Sequence, residues 1–340
     1  MYEWSKECPK DLKPGLDAFF ISKDFLDRQS VFYKGMEDSS QKWVALISMS
    51  GIEETHAMIC RKFSLPFSVL HEAQNTTFSQ VSAAPRMPLA AAYNKFIKDI
   101  VKLNKLARSA ERLLSYKKEL GRATAMVIAP LIGSVSAPES DTVNTLLASL
   151  TPSERSAAMN DMWFISVDIE SFESDHSKIL EIGWSIWALS VNKFVDKHYA
   201  ISNFRHLKNG KYVADRRDRF MFGDTVWATL KESIAAFQDT LEAAAGRNAQ
   251  GLFALIAHDM SSDEGYLRKM GVQFPSGMIK FDTVDMNAAR VGDANCKTGL
   301  GKLLDELGID NYCLHNAGND AHYTLELFLK LTRNNIKQNA

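Results

Sequence analysis

Beyond residue 160 the chain reads as short apolar runs separated by polar or turn-forming breaks. "WFISVDI" (163–169), "ILEIGWSIWAL" (179–189) and "KFVDKHYAI" (193–201) have the length and composition of strands. Their short connections predict an antiparallel meander. Downstream, strand and helix patterns alternate: a helix over 231–245, a strand "GLFALIAH" (251–258), a helix after Ser261, a strand "MIKFDTV" (278–284), a helix "GLGKLLDELG" (299–308) and a last helix from about Ala317. Alternation of this kind predicts an α/β fold, a mixed sheet covered by helices on both faces.

The first 155 residues have a different texture. "KWVALISM" reads as a buried strand, "IEETHAMICRKF" as an amphipathic helix and "HEAQNTTFSQVSAAPRMP" (71–88) as a loop, which together predict a smaller α+β region. From Ala90 to Arg122 apolar residues recur every three or four positions (Phe96, Ile100, Leu103, Ala107, Ala110, Leu114), the spacing of a helix with one apolar face. That helix is basic, and a solvated face explains its charge more readily than phosphate contact. The apolar stretch "TAMVIAPLIGSVSA" (124–137) is read as a linker or a packed segment. A Ser-, Thr- and Pro-rich stretch near 134–155 marks the expected boundary between an N-terminal region (1–155) and a second domain (160–335).

Composition narrows the class of protein. The 340 residues are 46% apolar with a net charge of −1, which fits globular domains and excludes a globally basic nucleic-acid binder. Any such partner must be held by local patches. Four scattered cysteines with no CxxC pair point to a reducing compartment, cytoplasmic or nuclear, and the apolar stretch at 124–137 is too short for a membrane span.

Acids recur at strand ends. In "VDIES" Asp168 and Glu170 lie two apart and so project from one face of a strand, where they repel unless a cation or shared proton lies between them. In "AHDMSSDEGYL" a strand ends and Asp259 and Asp263 open a helix; helix capping accounts for such residues, and the two acids compete for any further role. In "HNAGND" (315–320) capping accounts for Asp320 but not for His315. Carboxylates from three such places at one sheet edge require a hard cation, Mg²⁺ or Mn²⁺, and two such ions can hold the attacking and leaving oxygens of a phosphodiester displacement.

These motifs resemble the DEDDh class of 3′-5′ exonucleases, which includes ribonuclease T, oligoribonuclease and proofreading domains. The resemblance implies a ribonuclease-H-like fold, two divalent ions, and a site made of Asp168, Glu170, Asp263, His315 and Asp320. Asp168, Glu170 and Asp320 are then expected to hold one ion, Asp168 to bridge to a second that Asp263 orients, and His315 to serve as general base. "VDIESFESDHSKILEIGWSIW", "NFRHLKNGKYVADRRDRFMFGDTVW" and "LHNAGNDAHYTLELFL" further resemble the C-terminal domain of a fungal family named for being "good for full" activity of a DEAD-box mRNA-export helicase. This narrower resemblance covers roughly residues 160–332.

The implied substrate is a single strand of RNA, or less favourably DNA, with a 3′ end. The insert at 205–219 offers Arg205, Lys208, Lys211, Arg216, Arg217 and Arg219 for phosphates, with Tyr212 and Phe220 for stacking. An ordinary solvated hairpin loop explains the same composition. The alternative function is a catalytically weak or silent module that binds RNA or a protein partner, in part through the N-terminal region. The spacing of His315 to Asp320 argues for an exonuclease over other nucleases of this fold.

Overall fold

The computed structural model describes residues 8–20, 22, 32–64, 78–83, 90–132, 141–188 and 192–339. The chain divides into two compact units, Met1–Ala110 and Glu111–Ala340.

In the first unit, helix α1 (Lys13–Phe20) precedes strands β1 (Phe32–Glu37) and β2 (Lys42–Ile47), helix α2 (Met49–Phe63) and strand β3 (Phe78–Ala83). The strands form an antiparallel sheet in the order β2-β1-β3. Leu16, Phe19, Phe32 and Ile59 fill its core with Phe96 and Ile100 from the next helix. The expected helix over 52–63 is present and starts earlier, where the Ser48 hydroxyl caps it by accepting the Gly51 N–H at 3.1 Å.

Two expectations fail here. The strand in "KWVALISM" forms, but its positions are exposed or half-buried: on this edge strand Trp43 and Ile47 pack only in part against the core of the first unit. Residues 78–83 of the expected loop are β3, since backbone pairing with β1 overrides their polar composition; residues 71–77 and 84–88 lie outside the described residues.

Helix α3 (Ala90–Ile132) is longer than its periodic stretch implied. Its apolar stripe is buried at Phe96 and Ile100, whereas Leu114 is 71% exposed. The helix continues past Arg122 because Ala123, Ala125, Met126 and Ala129 are buried in the core of the second unit, so the stretch from 124 is a packed segment. Pro130 lies inside the last turn, where it forgoes the backbone bond to the Met126 carbonyl and crowds it, and the helix ends two residues later. Of the expected linker, residues 133–140 lie outside the described residues, while α4 (Asp141–Ala148) and α5 (Pro152–Met159) are helices. A capping box starts α5, with Thr151 and Glu154 each accepting the other's backbone N–H.

The second unit is built on a six-stranded sheet: β4 (Trp163–Phe172), β5 (Asp175–Ala188), β6 (Lys193–Ile201), β7 (Thr225–Ala228), β8 (Phe253–Ala257) and β9 (Met278–Asp282), in the order β7-β6-β5-β4-β8-β9. The meander β4-β5-β6 is antiparallel as expected, and β8 and β9 continue the sheet in parallel with β4. Helices α6 (Leu230–Ala245), α7 (Met260–Lys269), α8 (Thr283–Val291), α9 (Leu300–Glu306) and α10 (Ala317–Asn339) flank it. Helix α8 was not anticipated. Strand β9 stops at Asp282, whose carboxylate accepts the Val284 N–H at 2.9 Å and turns "DTV" from strand into helix start.

Alternation along β4 sets the two layers. Ile165, Val167 and Ile169 face one way, into a cluster with Phe237 and Leu241 of α6 and Leu267 of α7. Phe164 faces the other way, with its ring 5.7 Å from that of Phe328 on α10. Asp168 and Glu170 share the α10 side and stand opposite Gly183 and Glu181 of β5. Gly183 is required there: a Cβ at this position would lie 2.1 Å from the Ala317 carbonyl carbon. The first turn of α10 therefore rests directly on the β5 backbone.

The substitution Gly183→Ala is expected to force α10 off the sheet and lower stability by about 3 kcal/mol, the upper range for overpacking. Gly265→Ala, in α7 with no atom within 4 Å of the added Cβ, is expected to be neutral or slightly stabilising. Chemical denaturation of both variants checks this, and equal midpoints would contradict it.

Candidate active site

Three segments converge where β4 ends. Asp168 and Glu170 come from β4, Asp263 from the first turn of α7, and His315 and Asp320 from the loop and first turn of α10. Glu170, His315 and Asp320 offer one ligand atom each within 4.8 Å of one another. The His315 Nδ1 lies 3.9 Å from Glu170 Oε1.

Backbone geometry fixes each group. His315 has φ 66°, an uncommon left-handed conformation for a side chain of this size, and its N–H donates to Asp320 Oδ2 at 2.8 Å. This leaves Asp320 Oδ1 buried with no partner, and Asp168 Oδ2 is in the same condition. The other unpartnered buried atoms among the described residues, Trp184 Nε1 and Ser185 Oγ, belong to uncharged groups further along β5. Between the two acids of the middle motif the structure discriminates clearly. Asp263 is 6% exposed and accepts the Ile169 N–H, which ties it to β4 between Asp168 and Glu170. Asp259 is exposed, and its carboxylate accepts the Ser261 hydroxyl.

Electrostatics follow from burial and crowding. Burial raises Asp168 far above the ordinary carboxylate range, and Asp263, Asp320 and Glu170 raise it further. Asp263 and Asp320 are raised for the same first reason. Glu170 is pushed up to about 8 by burial and by Glu181. His315 moves the other way: burial and the positive charge of Arg216 lower it, so the ring is neutral near pH 7. Its side chain remains 53% exposed, which leaves it in reach of water.

Two residues that sequence reasoning passed over stand behind this layer. Glu181, 3% exposed, accepts from the Ala317 N–H at 3.2 Å and lies 2.8 Å from His198 Nε2. His198 Nδ1 in turn lies 2.9 Å from the Thr225 hydroxyl. This chain of contacts joins β7, β6 and β5 to the start of α10. A glutamate inside the apolar run "ILEIGW" was the available clue. Asp282 is the other omission: its carboxylate accepts the N–H groups of Asp259 and Met260 and so fixes the start of α7.

The basic insert is only partly placed at this site. Arg216 is half-buried beside it and donates to the Leu314 carbonyl at 3.0 Å. Arg205, Lys208, Lys211 and Arg219 are exposed, with the Arg205 guanidinium 4.5 Å from the Trp227 ring centroid. Arg217 departs from the expectation of substrate contact. It is 3% exposed, paired with Asp215 at 2.6 Å and bonded to the carbonyls of Phe204 and Leu207, so its charge serves the fold of the insert.

The donor set fits divalent metal. Buried carboxylate oxygens without partners, all oxygen ligands save one exposed imidazole, and acids that repel one another are the arrangement that a hard cation stabilises.

The C-terminal domain of DNA polymerase III subunit epsilon-like DEDDh proteins matches residues 163–331. The "uncharacterized nucleolar protein C2C4.08" of Schizosaccharomyces pombe is 30% identical over 177 residues, 50% of this chain and 68% of that protein. The chain belongs to the DEDDh family. Two relatives from Saccharomyces cerevisiae match 51% of the chain each: "Good for full DBP5 activity protein 2" at 29% identity and "uncharacterized protein YDR514C" at 27%. The chain spans 36% and 41% of their lengths. The expected resemblance to the "good for full" family is thereby borne out. No described helix is long and apolar enough to cross a membrane.

A pH dependence follows for the metal-free DEDDh domain. Glu170 and Glu181 rise from the ordinary 4.5 to about 8 on folding, so the protonated forms are the ones that the fold accommodates. Their contribution is complete below pH 4.5 and is lost as pH rises toward 8. In chelator the melting temperature is expected to be lower at pH 8 than at pH 5.5, and Mn²⁺ is expected to remove most of that difference. Identical pH profiles with and without Mn²⁺ would contradict the assignment.

Proposed function

We propose that this protein is a metal-dependent 3′-5′ exonuclease that hydrolyses single-stranded nucleic acid, RNA in preference to DNA. The observation that carries the reading is the pair of buried, unpartnered oxygens on Asp168 and Asp320, within an acidic cluster that has a neutral, solvent-reachable imidazole at its edge. Asp168, Glu170 and Asp320 would hold one divalent ion, and Asp168 with Asp263 the second. Bound ions supply charge stabilisation to the attacking and leaving oxygens of an in-line displacement.

The chain's own groups do the rest. Neutral His315 accepts the proton of the attacking water, and the nearby Glu170, a carboxylate when an ion is bound, stabilises the imidazolium that results. The Asp320 carboxylate keeps His315 in place by accepting its N–H. Arg216 adds positive charge beside the phosphate, and the exposed Arg205, Lys208, Lys211 and Arg219 engage the strand's backbone. The preference for RNA is supported by the name of the nucleolar relative, since the nucleolus is an RNA-rich compartment, and of the two expected locations the nucleus is the one that this name supports.

Incubation with RNA and DNA single strands labelled at either end tests the proposal. A ladder shortening from the 3′ end is expected with Mg²⁺ or Mn²⁺ and lost with chelator. Asp168→Ala is expected to abolish it. His315→Ala is expected to slow it by about 10²–10⁴ while Mn²⁺ binding persists. No metal-dependent shortening by the parent protein, or equal rates for parent and Asp168→Ala, would overturn the reading in favour of a binding module.

A further inference from the structure

The insert after β6 is held to the site at both ends. At one end Glu173, in the turn that leaves β4 three residues beyond Glu170, accepts the N–H of Lys211 at 2.8 Å and of Tyr212 at 3.0 Å. The backbone N–H groups of Gly210 and Val213 also donate to it. Asn209 completes the attachment: it accepts the Glu173 N–H at 2.9 Å and donates to the Ser171 carbonyl at 3.0 Å. At the other end Arg216 donates to Leu314, and Asn316 donates to the Arg216 carbonyl at 3.0 Å. The insert therefore borders the acidic cluster from the Glu170 side to the His315 side.

At the Glu173 end this anchored turn carries Tyr212, whose side chain is not used by the fold. The residue is 73% exposed, among the largest exposures of any bulky apolar side chain described. The Lys211 ammonium lies 4.8 Å from the ring centroid and covers one face. A solvated loop has no reason to fix an aromatic ring on so many backbone hydrogen bonds. Ordering a surface turn costs about 1–2 kcal/mol per residue, and an exposed ring returns little of it in the free protein beyond its contact with Lys211. A planar ring on a rigid turn, one face against a cation and the rest open, has the composition of a single-strand stacking platform.

We propose that Tyr212 is a stacking subsite for a nucleobase of the single strand whose 3′ end enters between Glu170 and His315, and that Glu173 is its positioning residue. The inference rests on the exonuclease reading for the direction of the strand but not for the contact itself. Lys211, beside the ring, pairs with a phosphate of the same strand. A duplex cannot use this subsite, because its bases are already stacked, so Tyr212 selects unpaired ends.

The test uses the full chain and single-stranded RNA oligomers in which 2-aminopurine replaces one base at successive distances from the 3′ end, in chelator, so that nothing is cleaved. Quenching is expected at one position, to be abolished by Tyr212→Ala, retained by Tyr212→Phe and weakened by Glu173→Ala. Affinity is expected to fall about tenfold or more for Tyr212→Ala, in the range of one lost base stack. With metal, the same change is expected in KM for single strands and not in kcat. Glu173→Ala is also expected to speed tryptic cleavage at Lys208 and Lys211. Binding and quenching identical in parent and Tyr212→Ala would overturn the subsite and leave the exonuclease reading standing. Strand binding with Tyr212-dependent quenching but no metal-dependent shortening would overturn the exonuclease reading and leave the subsite standing. No strand binding by the parent would overturn both.

Discussion

The backbone of β5 at Gly183 touches the first turn of α10 at a distance that admits no side chain. On this contact the arrangement of the site depends. Gly183 stands opposite Asp168 in the sheet, so the approach of Ala317 to Gly183 also brings Asp320 toward Asp168 and sets His315 beside Glu170. A larger residue at 183 would separate the helix from the strand and, with it, the carboxylates of two motifs distant in sequence. Glu181, the next residue on the same face of β5, reinforces the contact by accepting the Ala317 N–H. His198 and Thr225 extend the support through two further strands.

The same contact creates an electrostatic problem. Asp168, Asp263 and Asp320 are buried together, Glu170 and Glu181 stand opposite each other on adjacent strands, and among the described residues no lysine or arginine forms a salt bridge with any of the five, although Arg216 and Arg217 lower Asp320 and Glu181 through their charge. Burial first, and repulsion by other acids second, displace each group upward, so that without metal the cluster holds protons despite the nearby arginines. A divalent cation replaces protons with a charge suited to the unpartnered oxygens. If the site takes up metal as proposed, affinity for the ion and stability of the domain would be linked through the same carboxylates.

Much of this was legible in the sequence because it rests on local spacing. Two acids two apart in a strand must share a face, and His315 with Asp320 must flank a helix start, whatever the rest of the chain does. The meander and the strand–helix alternation had the same local basis. What escaped was what depends on pairing across distance. Residues 78–83 look polar and loop-like but pair with β1. Arg217 reads as a free cation until Asp215 and the carbonyls of Phe204 and Leu207 close around it. Glu173 has no motif, yet it anchors a turn 38 residues away in the chain. The motif assigns Asp263, but only the burial of its side chain and the Ile169 N–H it accepts set it apart from its exposed competitor Asp259.

The central claim is that these carboxylates form one divalent-metal centre whose ions displace protons. Calorimetric titration of Mn²⁺ into the metal-free protein at pH 7, repeated in buffers of differing ionisation enthalpy, measures it most directly. With Glu170 at about 8 and the aspartates raised alongside it, binding is expected to release about one proton or more per protein, and Asp168→Asn is expected to reduce both the heat and the release. Absence of Mn²⁺ binding, or binding with no proton released and no change in Asp168→Asn, would contradict the account.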